Sequence, residues 1–82
     1  KFPQVLKNIK VTNKNEVMSN DLVQEAIKKA EEQLGQDGRV LVRPSGTEPL
    51  VRVMVEARTK DECDEFVDQI AKVIEENFGE KE

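Results

Sequence analysis

Histidine, tryptophan and tyrosine are absent from the 82 residues, and cysteine occurs once. Without histidine the chain lacks the commonest general base and metal ligand, which excludes a Ser-His or Cys-His nucleophilic pair within it. A lone cysteine, Cys63, cannot close an internal disulfide and fits a reducing, cytoplasmic setting. The missing Trp and Tyr remove the usual platforms for stacking bases. A net charge of −4 also runs against a general nucleic-acid binder. No apolar run approaches the roughly 20 residues of a membrane span, and no signal-peptide pattern opens the chain. Neither nucleic acid nor a membrane is therefore expected as a partner. The first residue is Lys1 rather than Met, as expected of a piece of a longer protein or of a processed one.

Equal shares of charged and apolar residues, 37% each, suit one small globular domain with a single modest core. Residues 2–11 read as a strand in which Val5, Ile9 and Val11 share one parity and Lys7 breaks the alternation. Residues 12–20 are polar and turn-like. Asn20 can cap a helix running to about Leu34, with Leu22, Val23, Ala26, Ile27, Ala30 and Leu34 on one stripe and Gly35 as its stop. After a Gln36-Asp37-Gly38 turn, residues 39–43 and 50–58 read as strands. Thr59-Lys60-Asp61-Glu62 fits a capping box, followed by an apolar face of Cys63, Phe66, Val67, Ile70, Ile74 and Phe78 before Gly79. The order strand-helix-strand-strand-helix predicts a two-layer α+β domain. Its sheet would be small and largely antiparallel, of three to four strands, with two helices on one face.

Two candidate features have plain explanations. Cys63 lies on the apolar stripe of the last helix, where a thiol serves as a small hydrophobe. The carboxylates Asp61, Glu62, Asp64, Glu65 and Asp68 lie mostly off that stripe and suit the helix N-terminus or solvent. They lack the ligand spacing and Gly turn of a cation loop.

The segment Arg43-Pro44-Ser45-Gly46-Thr47-Glu48-Pro49 has more to offer. Arg43 ends a strand, and Pro44 lacks an N–H and should end the ladder there. Ser45 and Thr47 each bring a hydroxyl beside a backbone N–H. Gly46 tolerates positive φ and lets the backbone approach an anion closely. Strand parity puts Val40 and Val42, and Val51, Val53, Val55 and Ala57, toward the core. If the two strands pair antiparallel, Arg43 and Arg52 share the open face at the loop, where two guanidiniums could grip one phosphate. The plainer alternative is an ordinary hairpin connection with Arg43 and Arg52 paired to Glu48 or Glu56. The residues alone leave the two readings about even. Ser45 has no base nearby and is not read as a nucleophile; no catalytic residue and no metal ligand is expected in the chain.

The run from Arg43 to Ala57 resembles the phosphate-binding segment of the α-D-phosphohexomutase family, and in detail its bacterial members acting on glucosamine phosphate. Relatives acting on mannose or glucose phosphates more often carry Asn where this chain has Gly46. The resemblance covers essentially the whole chain as the fourth, C-terminal domain of a larger enzyme. It implies a parent that interconverts the 6- and 1-phosphates of a hexosamine through a phosphoserine in its first domain and a bisphosphate intermediate, feeding UDP-acetylglucosamine and cell-wall synthesis. A Mg²⁺ ion would be held by aspartates of the second domain, outside this chain, and a loop of the third would read the sugar. Arg43, Ser45, Gly46, Thr47 and Arg52 would hold the substrate's non-reacting phosphate. The partners implied are the hexosamine phosphate and the other domains, and the isolated domain would be inactive. Two alternatives stand beside this: the same domain of a phosphomannomutase or phosphoglucomutase, and a non-catalytic module binding an anionic effector.

Overall fold

The computed structural model describes residues 2–79. Three strands, β1 (Gln4–Lys10), β2 (Arg39–Pro44) and β3 (Leu50–Glu56), form one antiparallel sheet in the order β1-β3-β2. The valine-rich β3 takes the centre, where its uniformly apolar inner face is covered along its whole length. Val51, Val53 and Val55 on its inner face are fully buried. Helices α1 (Lys14–Ser19), α2 (Asp21–Leu34) and α3 (Lys60–Phe78) cover that face and leave the other one open. This is the expected two-layer α+β arrangement, with three strands.

α3 lies over β1 and β3 and supplies most of the core. Thr59 Oγ1 accepts from the Glu62 N–H at 3.1 Å, capping its first turn. The predicted stripe of Cys63, Phe66, Val67, Ile70, Ile74 and Phe78 is buried, with Ala71 added. Full burial of one such aliphatic or aromatic side chain is worth about 1.5–3 kcal/mol, so this stripe holds the two layers together. The Cys63 thiol is buried within it, 3.3 Å from the Pro3 carbonyl oxygen. α2 packs on β2 and α3 through Val23, Ala30 and Leu34, while Leu22 is exposed rather than on the stripe. Gly35 ends α2 at φ +60, a conformation a side chain would strain.

Residues 12–20 depart from the expected turn. Asn13 Oδ1 accepts from the N–H groups of Asn15 and Glu16 and starts the six-residue helix α1. Asn20 ends it and, through bonds to the Leu22 and Val23 N–H groups, caps α2. Polarity conceals this helix from its sequence, because only Val17 of α1 is buried. Lys7, which breaks the alternation of β1, sits opposite the buried Val53. Its ammonium runs out past the edge of the core toward Asp68 and Glu75 of α3, at 4.0 and 3.9 Å.

Candidate functional site

β2 and β3 pair with Arg43 directly opposite Arg52, and β1 adds Asn8 opposite Arg52. The row Asn8-Arg52-Arg43 therefore crosses the open face of the sheet at the end where the 45–49 connection turns. Asn8 Oδ1 accepts from Arg52 Nε at 3.3 Å, which steadies that guanidinium. Beside this row lies an apolar one, Leu6-Met54-Leu41, which with Arg43 and Arg52 lines a shallow cleft of about 240 Å³.

The carboxylates that could have neutralised these arginines are engaged elsewhere or stand apart. Glu56 takes the Arg39 guanidinium at 3.5 Å and the Gln4 amide at 2.9 Å. Glu48 makes no ion pair among the described residues, and neither Arg43 nor Arg52 makes one. The alternative in which Glu48 or Glu56 pairs with them is thereby excluded for the described structure. Two like charges directly opposed on adjacent strands repel, so the fold carries an electrostatic cost here that an anion would offset.

The loop differs in three respects from its sequence reading. Pro44 does not end the ladder: it pairs with Val51, and Ser45 continues the pattern by donating to the Leu50 carbonyl at 2.9 Å. β2 is an edge strand, where a missing N–H is tolerated. Consequently the Ser45 N–H is committed to the hairpin and unavailable to an anion. The Ser45 hydroxyl accepts from the Glu48 N–H at 3.3 Å and keeps its own proton to donate. Gly46 does not adopt positive φ, and a Cβ built on it would meet nothing within 4 Å. The fold itself therefore places no demand for glycine there. Among the described residues, the N–H groups of Gly46 and Thr47 and the Thr47 hydroxyl find no protein partner, and both residues are exposed. Arg43, Arg52, the Ser45 hydroxyl and the 46–47 backbone are thus brought to one rim.

Sequence reasoning missed two cations at this rim. Lys10 ends β1 on the open-face parity, opposite Leu50. Lys14, the first residue of α1, points its ammonium at the loop carbonyls of Ser45 (2.5 Å) and Glu48 (3.4 Å). Neither is in an ion pair among the described residues. A chain of net charge −4 thus gathers four cations at one end of its sheet. Asn13 followed three residues later by Glu16, with Val17 beyond, is a helix-start signal that could have placed Lys14. Among the described residues no group of three or more His, Cys, Asp or Glu side chains could hold a metal, and no helix is long and apolar enough to cross a membrane.

Known proteins resemble this chain in sequence and in fold. Among curated relatives, the phosphoglucosamine mutase of Oceanobacillus iheyensis is 58% identical over 78 residues, covering 95% of this chain and 18% of its own length. That of Bacillus subtilis is 53% identical over 79 residues, 96% of this chain and 18% of its own. The chain therefore spans under a fifth of the enzymes it matches. Among solved structures, an N-acetylglucosamine-phosphate mutase of the α-D-phosphohexomutase superfamily, in its substrate complex, superposes with TM-score 0.75 at 26% identity. It covers 90% of this chain and 15% of that one. Aspergillus fumigatus N-acetylphosphoglucosamine mutase in complex with glucose 1,6-bisphosphate shares the fold at TM-score 0.81 and 23% identity, covering 98% of this chain and 16% of that one. The family described as phosphoglucomutase/phosphomannomutase, C-terminal domain, matches residues 6–73; the chain belongs to that family.

Proposed function

We propose that this chain is the substrate-phosphate-binding C-terminal domain of a phosphoglucosamine mutase, an enzyme interconverting glucosamine 6-phosphate and glucosamine 1-phosphate. One observation carries the reading: two unneutralised arginines, Arg43 and Arg52, face each other beside a loop whose 46–47 amides have no protein partner among the described residues. A phosphate dianion supplies what this rim lacks, two or more acceptors for each fork of donors and a charge that relieves the repulsion. Arg43, Arg52, the hydroxyls of Ser45 and Thr47 and the Gly46 backbone would hold the phosphate that does not react. Holding one end of the sugar phosphate presents the other end to a phosphoryl donor, so the domain's contribution is positioning.

The likeness to phosphoglucosamine mutases at above 50% identity supports glucosamine as the sugar in preference to mannose or glucose. In this reading a phosphoserine, the Mg²⁺ ion and the sugar-reading loop belong to other domains of the parent, which is cytoplasmic and feeds UDP-acetylglucosamine and cell-wall synthesis. Among the described residues no group of three or more carboxylate, thiol or imidazole side chains could hold the Mg²⁺ ion. A bisphosphate intermediate must turn over between the two transfers, so a grip that recognises phosphate rather than sugar suits either orientation.

The test is an amide NMR titration of the chain with glucosamine 6-phosphate, mannose 6-phosphate and inorganic phosphate. Shifts should concentrate at residues 45–48 and near Arg52. Affinity should be similar for all three ligands and lie in the millimolar range, about −4 kcal/mol. It should weaken with added salt. A strong preference for one sugar, or shifts on the acidic face of α3, would refute the assignment, as would mutase activity in the chain alone.

A further inference from the structure

Two groups outside the hairpin tie the 45–49 connection to the rest of the fold: the Val11 N–H donates to the Pro49 carbonyl at 2.9 Å, and α1, which contributes nothing else to the rim, supplies the tie to Ser45 and Glu48. Asn13 caps this short helix and the fully buried Val17 pins it to the core. Lys14 is thereby held half-buried with its ammonium against the Ser45 and Glu48 carbonyls, the two ends of the turn. We propose that Lys14 is a positioning residue of the phosphate grip, fixing the Ser45 carbonyl and so aiming the Gly46 N–H at the ligand. The inference rests on the phosphate reading above.

Peptide geometry supplies the link. The Ser45 carbonyl and the Gly46 N–H belong to one planar peptide unit, and no cis peptide bond occurs among the described residues. In a trans unit the C=O and N–H point in opposite directions. An ammonium bonded to that oxygen therefore turns the Gly46 N–H to the far side, where it has no protein partner among the described residues. The second contact uses up no donor either. Glu48 precedes Pro49, which has no N–H, and its carbonyl already accepts from the Leu50 N–H at 2.8 Å. Lys14 thus clamps both ends of the turn by their oxygens and leaves the Gly46 and Thr47 amides between them free, while the Glu48 N–H is held by the Ser45 hydroxyl. Since Gly46 does not sit at positive φ, the turn is not locked by a special backbone conformation. A tie from outside the hairpin takes that role, and its charge also favours an approaching anion.

The experiment compares the chain with its Lys14→Met, Lys14→Gln, Lys14→Arg and Arg43→Ala variants, using inorganic phosphate as the probe and backbone ¹⁵N relaxation of the free protein as a second readout. In Lys14→Met and Lys14→Gln, phosphate affinity should fall about tenfold, the loss of one charge-assisted hydrogen bond. The order parameters of Gly46 and Thr47 should drop below about 0.6 while those of Val51 and Val53 stay near 0.85. Lys14→Arg, retaining charge and donors, should restore loop order and most of the affinity. Arg43→Ala should lose affinity with loop order unchanged. Unchanged loop order in both loss variants overturns the proposal, whether affinity falls, which would make Lys14 only a nearby charge, or holds. If the unmodified chain binds no phosphate at the loop, the phosphate reading fails instead, and loop order still decides whether Lys14 holds the turn.

Discussion

Arg43→Ala should separate binding from stability, because no side-chain partner of Arg43 among the described residues would miss it. It faces Arg52 directly and makes no ion pair among the described residues. Removing one of two opposed like charges relieves a repulsion on the order of 0.2–1 kcal/mol. Alanine is a poorer strand former than a long side chain, by a few tenths of a kcal/mol, and offsets part of that gain. The net change in stability should lie within about 0.5 kcal/mol, or within about 4 °C in Tm for a domain of this size. Binding behaves differently. Charge-assisted hydrogen bonds contribute about 1.5–3 kcal/mol each, so, on the proposed function, losing the guanidinium should lower the parent enzyme's kcat/KM for glucosamine 6-phosphate at least tenfold. Lysine at the same position should recover only part of that loss, since it cannot form the two-pronged contact. Steady-state kinetics paired with thermal melts test both halves. Near-wild-type kinetics would remove Arg43 from the site, and a large fall in Tm would show that the side chain supports the fold.

Gly46→Ala should leave the fold intact or stabilise it by about 0.4–1 kcal/mol, because its φ is not positive and a Cβ meets nothing within 4 Å. Phosphate affinity in the same variant should fall, read by titration against the unmodified chain, as the added methyl occupies space kept for the ligand. Phe66→Ala, by contrast, opens a cavity beneath α3 at a residue only 8% exposed. It should cost roughly 3–5 kcal/mol by denaturant melt, a large share of the stability of a small domain. Asn20→Ala removes one oxygen that accepts from both the Leu22 and Val23 N–H groups. It should lower stability by about 1 kcal/mol, a Tm shift of about 4–8 °C, with phosphate binding unchanged.

Periodicity and local chemistry determined much of this domain before any tertiary information. The stripe from Cys63 to Phe78, the caps at Asn20 and Thr59 and the alternation of β3 are local signals. Helix pitch, strand pleat and capping geometry depend only on residues a few positions apart. The opposition of Arg43 and Arg52 was also readable, since parity assigns both to the open face once the strands are taken as an antiparallel hairpin. What tertiary structure decided is everything that depends on groups distant in the chain. Whether Glu48 or Glu56 neutralises the arginines turned on Arg39 and Gln4 drawing Glu56 away across the sheet. Lys7 became tolerable only because α3 offers Asp68 and Glu75 beside β1. The commitment of the Ser45 N–H to Leu50 followed from the register of the ladder continuing past Pro44. Helix α1 was hidden because six polar-rich residues with one buried valine carry little periodic signal. Its Lys14 reaches the loop across a separation of 31 residues, a juxtaposition that folding alone creates.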